Sequence, residues 1–176
     1  MVKAKNIVVV LMAELALVFL LFSNTNCKIY SFDGATIPPD IKTVRVQFLE
    51  NKARYINPQL SPKLTDRLRQ KITSQTRLIQ VNSDTADYDI SGFVSTYDVS
   101  TSGISAQQVA TNRLTVGLNM TLANRKEPEK DPKKISVSRS FDFSASLTLQ
   151  QAEAQLIDEI LRNLTDEIFN QLFSDW

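Results

Sequence analysis

The segment from Asn112 to Asn124 constrains the fold of this chain more than any other part of the sequence. A large apolar side chain occupies every second position, and small or polar side chains lie between them: Leu114, Val116, Leu118, Met120 and Leu122. This period of two is that of a β-strand with one buried and one solvent-facing side. Such a strand needs a sheet around it and a second layer that covers its apolar side.

Further segments predict the other strands of this sheet. From Thr43 to Leu49 the sequence alternates, which places Val44, Val46 and Phe48 on the buried side. Shorter or less regular patterns predict strands over three more ranges: Leu78 to Val81, Tyr88 to Val99, and Ile135 to Phe143. Gly92 is predicted to be a bulge. A charged hairpin loop, residues 125–134, joins the last two long strands.

Two amphipathic segments predict helices that form the second layer. In the first, Leu64, Leu68 and Ile72 recur every fourth residue, which predicts a helix that ends near Thr76. Ser61 followed by Pro62 is typical of an N-cap and a first helical residue.

The second helix is predicted from the capping box of Thr148 and Gln151 to about Phe173. Its apolar residues fall in one broad arc: Leu149, Leu156, Ile157, Ile160, Leu161, Leu164, Ile168 and Leu172. We therefore predict an α+β fold, a two-layer sandwich in which an antiparallel-rich sheet of four or five strands is covered on one face by both helices.

Residues 1–26 are predicted to be a signal peptide. Lys3 and Lys5 form a basic start, Ile7 to Phe22 is apolar apart from Glu14, and a short polar exit follows. The alternative is a transmembrane anchor. The apolar run has 16 residues, fewer than the roughly 20 that span a bilayer. Insertion of a central charge also costs about 2.5–3.5 kcal/mol. Both observations favour export and cleavage.

The only cysteine, Cys27, directly follows this segment. A single cysteine forms neither an internal disulfide nor a cysteine-based metal site. Its position predicts lipidation of a mature domain over residues 27–176, and several acyl chains would anchor that domain durably. The preceding residues, Asn24 to Asn26, are not the small residues usual at such a site, so an incidental cysteine is the alternative.

Charge and missing residue types exclude several classes of function. With 20 basic and 19 acidic residues, the chain has no overall field for nucleic acid. The sequence has no histidine, which removes histidine-based catalysis and most zinc sites, and its four glycines are scattered. Asp87 and Asp89 are interpreted as solvated acids. We predict a protein without catalytic residues, metal or cofactor; a histidine-free hydrolase is the enzyme alternative.

Two groups of basic residues are candidate contacts for phosphate groups or an acidic partner. The first lies in the hairpin loop: Lys126, Lys130, Lys133 and Lys134. Its alternative interpretation is a soluble hairpin tip that protects the strand pair from aggregation. The second forms a row on the first helix: Lys63, Arg67 and Lys71. Its alternative is a set of long side chains that flank a buried stripe.

Three aromatic residues near the C-terminus lie off the main apolar arc of the second helix: Phe169, Phe173 and Trp176. One hypothesis is an exposed patch for a protein partner. The alternative is that the extended lead-in from Tyr30 to Pro39 covers them.

Four stretches of the mature chain, in order, together with the final Trp176, resemble the lipopolysaccharide-assembly lipoprotein (LptE) family: Tyr30 to Pro39, Asn57 to Ser61, Asn112 to Thr115, and Asp166 to Asn170. The resemblance implies a two-layer α/β domain tethered to the periplasmic face of the outer membrane. It also implies an LptD β-barrel partner that the lipoprotein plugs and helps to assemble, and direct contact with lipopolysaccharide.

The sequence thus predicts a non-catalytic, lipid-anchored subunit of the lipopolysaccharide translocon. Its partners would be an LptD-type barrel, lipopolysaccharide and the membrane. The alternative is a stand-alone periplasmic lipoprotein or chaperone that binds a lipid or a peptide. The basic residues named above match no motif of the family, so their role is a hypothesis from the residues alone.

Overall fold

The computed structural model describes residues 37–105 and 108–173. The predicted signal peptide, Cys27 and Trp176 lie outside these ranges. The elements follow in this order: β1 (Thr43–Val46), β2 (Glu50–Asn51), α1 (Leu60–Gln75), β3 (Ile79–Gln80), β4 (Tyr88–Ser105), β5 (Gln108–Asn124), β6 (Lys133–Ser144) and α2 (Leu149–Phe173).

The six strands form one mixed sheet in the order β3-β1-β4-β5-β6, and β2 pairs with β4. The long ladders, β4 with β5 and β5 with β6, are antiparallel. The short strands pair in parallel: β1 with β3 and with β4, and β2 with β4. A crossover through α1 separates β1 from β3, and such a connection suits parallel neighbours. The predicted α+β class is confirmed, and the parallel pairs are an addition to it.

Both helices cover the same face of this sheet. They contact each other, while α1 also contacts β1 and β3, and α2 contacts β5 and β6. The buried apolar residues of helices and strands belong to one cluster. The other face of the sheet is polar, with hydrogen bonds between Thr115 and Ser140 (2.9 Å) and between Ser136 and Asn119 (2.8 Å). We call it the open face. Neither described helix is long and apolar enough to span a membrane.

The prediction that Phe48 points into the core is wrong. Strands β1 and β2 lie one after the other along the same edge of β4, where Val46 pairs with Ile90 and Glu50 pairs with Phe93. Between these two pairs the edge chain advances four residues, from Val46 to Glu50, whereas β4 advances three, from Ile90 to Phe93. The one extra residue reverses which side chains of the edge chain point into the core. Leu49 is therefore fully buried, and Phe48 is 55% exposed.

Gly92 is not a bulge, because it pairs regularly with Met120. The irregularity in this part of β4 lies between Val94 and Thr96 instead. Gly92 is required by a close approach of the two strands: a Cβ atom there would lie 2.4 Å from the Met120 Sδ and 2.7 Å from the Asn119 carbonyl oxygen.

The predicted start of α1 at Pro62 is wrong by two residues, and its predicted cap, Ser61, is wrong too. The helix begins at Leu60. The Asn57 Oδ1 accepts a hydrogen bond from the backbone N–H of Gln59, directly before the helix, at 2.9 Å. Ser61 is buried inside the first turn. The end of α1 at Gln75 agrees with the prediction.

The capping box of α2 is confirmed. The Gln151 N–H donates to the Thr148 Oγ1 at 3.3 Å, and the Thr148 N–H donates to the Gln151 Oε1 at 3.0 Å. The helix runs to Phe173, as predicted.

Candidate binding site

A cavity of 460 Å³ opens where the loop between β5 and β6 meets the last turn of α2. Its apolar part includes Leu122, Leu172 and Phe173, and four charged residues border it: Glu127, Lys130, Asp131 and Lys133. We call this cavity the loop cleft. It combines an apolar surface with two amines and two carboxylates in one concave place.

The loop that forms the cleft is shaped locally by Asn124, the last residue of β5. The Asn124 Oδ1 accepts the Lys126 N–H at 3.0 Å, and the Asn124 Nδ2 donates to the Glu127 carboxylate at 3.1 Å. Asparagine side chains commonly fix a turn in this way. The turn places Glu127 and Lys130 on the rim of the cleft.

Two of the four candidate lysines of the hairpin line the loop cleft. Lys130 lies 3.6 Å from the Glu127 carboxylate in an exposed ion pair. The Lys133 Nζ donates to the Leu172 carbonyl oxygen at 3.4 Å. The partial negative charge at the C-terminal end of a helix stabilises a cation in this position. Because exposed ion pairs contribute little free energy, Lys130 can exchange Glu127 for another anion.

The other two hairpin lysines lie elsewhere. The Lys126 Nζ donates to the Asp40 carbonyl oxygen and lies 3.6 Å from the Asp87 carboxylate. Lys134 is exposed in β6, in register with Thr121 on β5. The four lysines therefore do not converge on one ligand.

The three basic residues of the row on α1 have different neighbours, and none of them lines the loop cleft. The Lys63 Nζ donates to the Gln59 Oε1 at 2.8 Å on the surface. The Lys71 Nζ lies 2.9 Å from the Asp166 carboxylate and 5.2 Å from the centre of the Phe169 ring, so it joins α1 to α2. Arg67 is half-buried on α1.

The hypothesis of an exposed aromatic patch is wrong for Phe169 and Phe173. Phe169 is fully buried, and Phe173 is 3% exposed. Their ring centres are 5.2 Å apart, and Phe173 lies 6.5 Å from Tyr88. They belong to the core because α2 turns this side towards α1 and β4. Trp176 lies outside the described residues.

Asp89 has a structural role that the sequence did not indicate. It is buried on β4 and accepts hydrogen bonds from Arg45 at 2.9 and 2.7 Å, from Arg125 at 2.9 Å and from Gln47 at 3.1 Å. The Arg45 guanidinium is the main reason why the pKa of this carboxyl lies well below its usual range. The interpretation of Asp89 as a solvated acid is wrong.

Asp87 is also fixed by hydrogen bonds, in this case to the protein backbone. Its carboxylate accepts the backbone N–H groups of Lys42 and Thr43 at 2.8 and 2.9 Å. These two hydrogen bonds lower the pKa of Asp87 to about 2. A pattern of two acids two residues apart could not show this, because the donors lie more than forty residues away on β1 and before it. Within residues 37–105 and 108–173, no cluster of three metal-ligating side chains occurs.

The sequence matches one protein family over most of this domain. The family model LptE, described as lipopolysaccharide-assembly, matches residues 41–172. No curated protein shows significant sequence similarity to the chain.

Two crystal structures have the same fold at low sequence identity. Rare lipoprotein B from Shewanella oneidensis is 14% identical with a TM-score of 0.50, and the match covers 73% of this chain and 92% of that one. A Helicobacter pylori homolog of a neuraminyllactose-binding hemagglutinin is 11% identical with a TM-score of 0.53, and the match covers 79% of this chain and 87% of that one.

Proposed function

Since the chain belongs to the LptE lipopolysaccharide-assembly family, we propose that it is a lipid-anchored subunit of the lipopolysaccharide translocon of the outer membrane. In this proposal it has no catalytic activity. It acts as a plug and assembly factor for an LptD-type β-barrel and contacts lipopolysaccharide directly. The observation that carries the proposal is the family match over residues 41–172, which includes both layers of the fold.

The open face of the sheet supports the role as a plug. The interior of an outer-membrane barrel is polar, so a protein that fills it needs a polar surface of its own. The open face presents hydroxyl and amide groups such as those of Asn119, Ser136 and Ser140, and charged pairs such as Arg113 with Asp142 at 2.7 Å. This face can exchange water for the polar wall of a barrel without burying unsatisfied groups.

The loop cleft supports direct contact with a glycolipid. The buried side chains of Leu122, Leu172 and Phe173, each between 3% and 7% exposed, form only a small apolar floor, and Lys130 offers an ammonium group to a phosphate. The carboxylates of Glu127 and Asp131 balance the amines of the cleft, so a phosphate must displace Glu127 from Lys130. That displacement costs little because the pair is exposed.

The position of the predicted anchor agrees with such a contact. Arg77 donates to the carbonyl oxygens of Ile37 and Pro38 at 2.6 and 2.8 Å, and Pro38 lines the loop cleft. Ile37 lies ten positions after Cys27 in the sequence, and an extended chain of that length spans at most about 35 Å. A lipidated Cys27 would therefore hold the cleft within that distance of the membrane surface.

Purification of the intact lipoprotein from outer membranes in mild detergent tests the proposal. We expect a β-barrel protein in a fixed stoichiometric ratio and a mass that shows acyl chains on Cys27. A stand-alone lipoprotein or chaperone would be recovered without a barrel. Recovery of the chain alone, with an unmodified first residue, would contradict the proposal.

A further inference from the structure

A second cavity, of 290 Å³, lies between the loop before α1 and the first turns of α2. One wall is formed by Tyr55, Asn57 and Gln59, and the other by Gln150, Glu153 and Ala154. We call it the tyrosine cavity. It shares no lining residue with the loop cleft, and no step of the proposed function uses it.

Two tyrosines point their hydroxyl groups at one carboxylate in this cavity. The Tyr97 hydroxyl donates to the Glu153 Oε1 at 2.7 Å, and the Tyr55 hydroxyl donates to the Oε2 at 3.4 Å. The Asn57 Nδ2 in turn donates to the Tyr97 hydroxyl oxygen at 3.3 Å. Burial raises the pKa of both tyrosines, so both hydroxyls stay protonated at neutral pH. A carboxylate has about four acceptor positions, so Glu153 can accept further hydroxyl donors.

The Tyr55 ring forms an apolar platform in the same cavity. It stacks on Tyr97, with ring centres 5.4 Å apart and an angle of 28° between the ring planes. Tyr97 is 2% exposed, whereas Tyr55 is 38% exposed. The buried ring therefore supports the exposed one from behind and restricts its motion.

From this arrangement we infer that the tyrosine cavity binds a saccharide ring. A pyranose has an apolar face of C–H groups, which stacks on an aromatic ring, and an edge of hydroxyls that donate and accept hydrogen bonds. The Tyr55 ring provides the platform, and the Glu153 carboxylate accepts hydrogen bonds from sugar hydroxyls. The side-chain amides of Gln59 and Gln150 can both donate and accept hydrogen bonds. At about 30 Å³ for each water-sized group, the cavity holds roughly ten such groups, which is close to the size of one hexose.

Other ligands fit the tyrosine cavity less well. None of the described residues that line it is basic, and the Glu153 carboxylate repels phosphate. A quaternary ammonium ion would meet a single exposed ring instead of an aromatic cage, and the Lys63 ammonium on Gln59 would repel it. An acyl chain would bury the amides of Gln59 and Gln150 without partners.

The saccharide can come from two sources, the sugar part of a glycolipid or a soluble glycan. Only the first source rests on the proposed function. Saturation-transfer NMR on the full-length chain in detergent distinguishes them with two probes: methyl α-D-glucopyranoside, and the oligosaccharide released from lipopolysaccharide by mild acid. Binding of the released oligosaccharide alone would assign a glycolipid, and binding of the glucoside as well would assign a more general glycan site.

Two variants and a matched control test the residues. We expect Tyr55→Ala, which removes the platform, and Ala154→Trp, which fills the cavity from an exposed helical position, to weaken binding at least tenfold. Ile56→Ala removes a side chain that is 60% exposed in the same loop and does not line the cavity, so binding should be unchanged. Thermal unfolding of each variant serves as the folding control.

The inference is wrong if neither probe binds the unmodified chain, or if Ala154→Trp binds as well as the unmodified chain does. It is also wrong if tetramethylammonium binds more tightly than both sugars and depends on Tyr55. Failure of this inference is distinguishable from failure of the proposed function. Barrel recovery does not enter the NMR measurement, and Ala154→Trp should still be recovered with the barrel.

Discussion

At the scale of single residues, Asp89 connects strand β4 to three other places in the chain. Its carboxylate binds Arg45 on β1, Gln47 directly after β1, and Arg125 in the hairpin loop. Removal of this charge leaves two guanidinium groups without their anion. A fully buried pair would lose about 3–5 kcal/mol in that case. Because Arg125 is 43% exposed, we expect Asp89→Asn to lower the free energy of unfolding by about 2 kcal/mol.

Urea denaturation measures this effect, and Asp142→Asn is its control. Asp142 binds Arg113 with the same two-point geometry, at 2.7 and 2.9 Å, but both side chains are 47% exposed. Solvent screens such a pair, so the control should change stability little. Equal losses in the two variants would contradict the role given to burial.

Asp87 predicts a pH dependence of stability. Its pKa in the folded chain is about 2, below the ordinary value of 3.8. A lowered pKa contributes stability above the unfolded value, and this contribution is lost as the pH falls from about 4 to about 2. In thermal unfolding across this window, Asp87→Asn should show a shallower fall in Tm than the unmodified chain. Parallel curves would exclude Asp87 as the cause.

Lys130 predicts a contribution to glycolipid affinity, which depends on the proposed function. It lies on the rim of the loop cleft with 76% of its side chain exposed. Loss of one charge-assisted hydrogen bond to phosphate costs about 1–1.4 kcal/mol in an exposed place, which corresponds to roughly fivefold to tenfold weaker binding. Lys130→Gln should lower lipopolysaccharide affinity by that factor. Lys134→Gln, outside the cleft, should not.

At the scale of elements, the sequence predicts those strands and helices in which the spacing of apolar residues shows which side is buried. Strand β5 and helix α2 are found this way because each is long and packs against a single core. The errors at Phe48 and Gly92 have another origin. Both depend on what the neighbouring strand does: the extra residue opposite β4 in the first case and the approach of Met120 in the second. A period within one strand contains no information on its neighbour's register.

The close approach at Gly92 predicts a large effect of a small substitution. An alanine Cβ would lie 2.7 Å from the backbone oxygen of Asn119, so β4 and β5 would have to separate. We expect Gly92→Ala to lower the free energy of unfolding in urea by about 1–3 kcal/mol. Gly103→Ala is the matched control, since its nearest atoms, at 3.3 Å, belong to the Thr111 side chain. A loss in the control as large as at Gly92 would refute the explanation.

At the scale of the whole molecule, the candidate sites combine residues that are distant in the sequence. The tyrosine cavity joins Tyr55 and Glu153, which are 98 positions apart, and the loop cleft joins Pro38 to Phe173. No local spacing predicts such pairs, because they arise only when both helices pack on the sheet. The hairpin lysines show the reverse case: their proximity in the sequence suggested one site, and the turn at Asn124 divides them.

The open face provides a place where partner contact can be separated from folding. Ser138 is exposed on β6 and pairs with Gly117 on β5, where the Thr96 side chain of β4 lies over the glycine, 3.1 Å from the position that a Cβ would take. Tyrosine favours strands, and at this exposed position its ring can pack beside the Thr96 side chain without entering the core. Ser138→Tyr should therefore leave the Tm of the isolated chain unchanged or raise it.

The same tyrosine would stand up from the open face and prevent close contact with a barrel wall. If this face meets the lumen, recovery of the barrel with Ser138→Tyr from outer membranes should fall severalfold. Ser138→Ala, which adds no bulk, should be recovered with the barrel as the unmodified chain is. Normal recovery with tyrosine at this position would mean that the open face is not the contact surface, even if the chain still plugs a barrel through its loops.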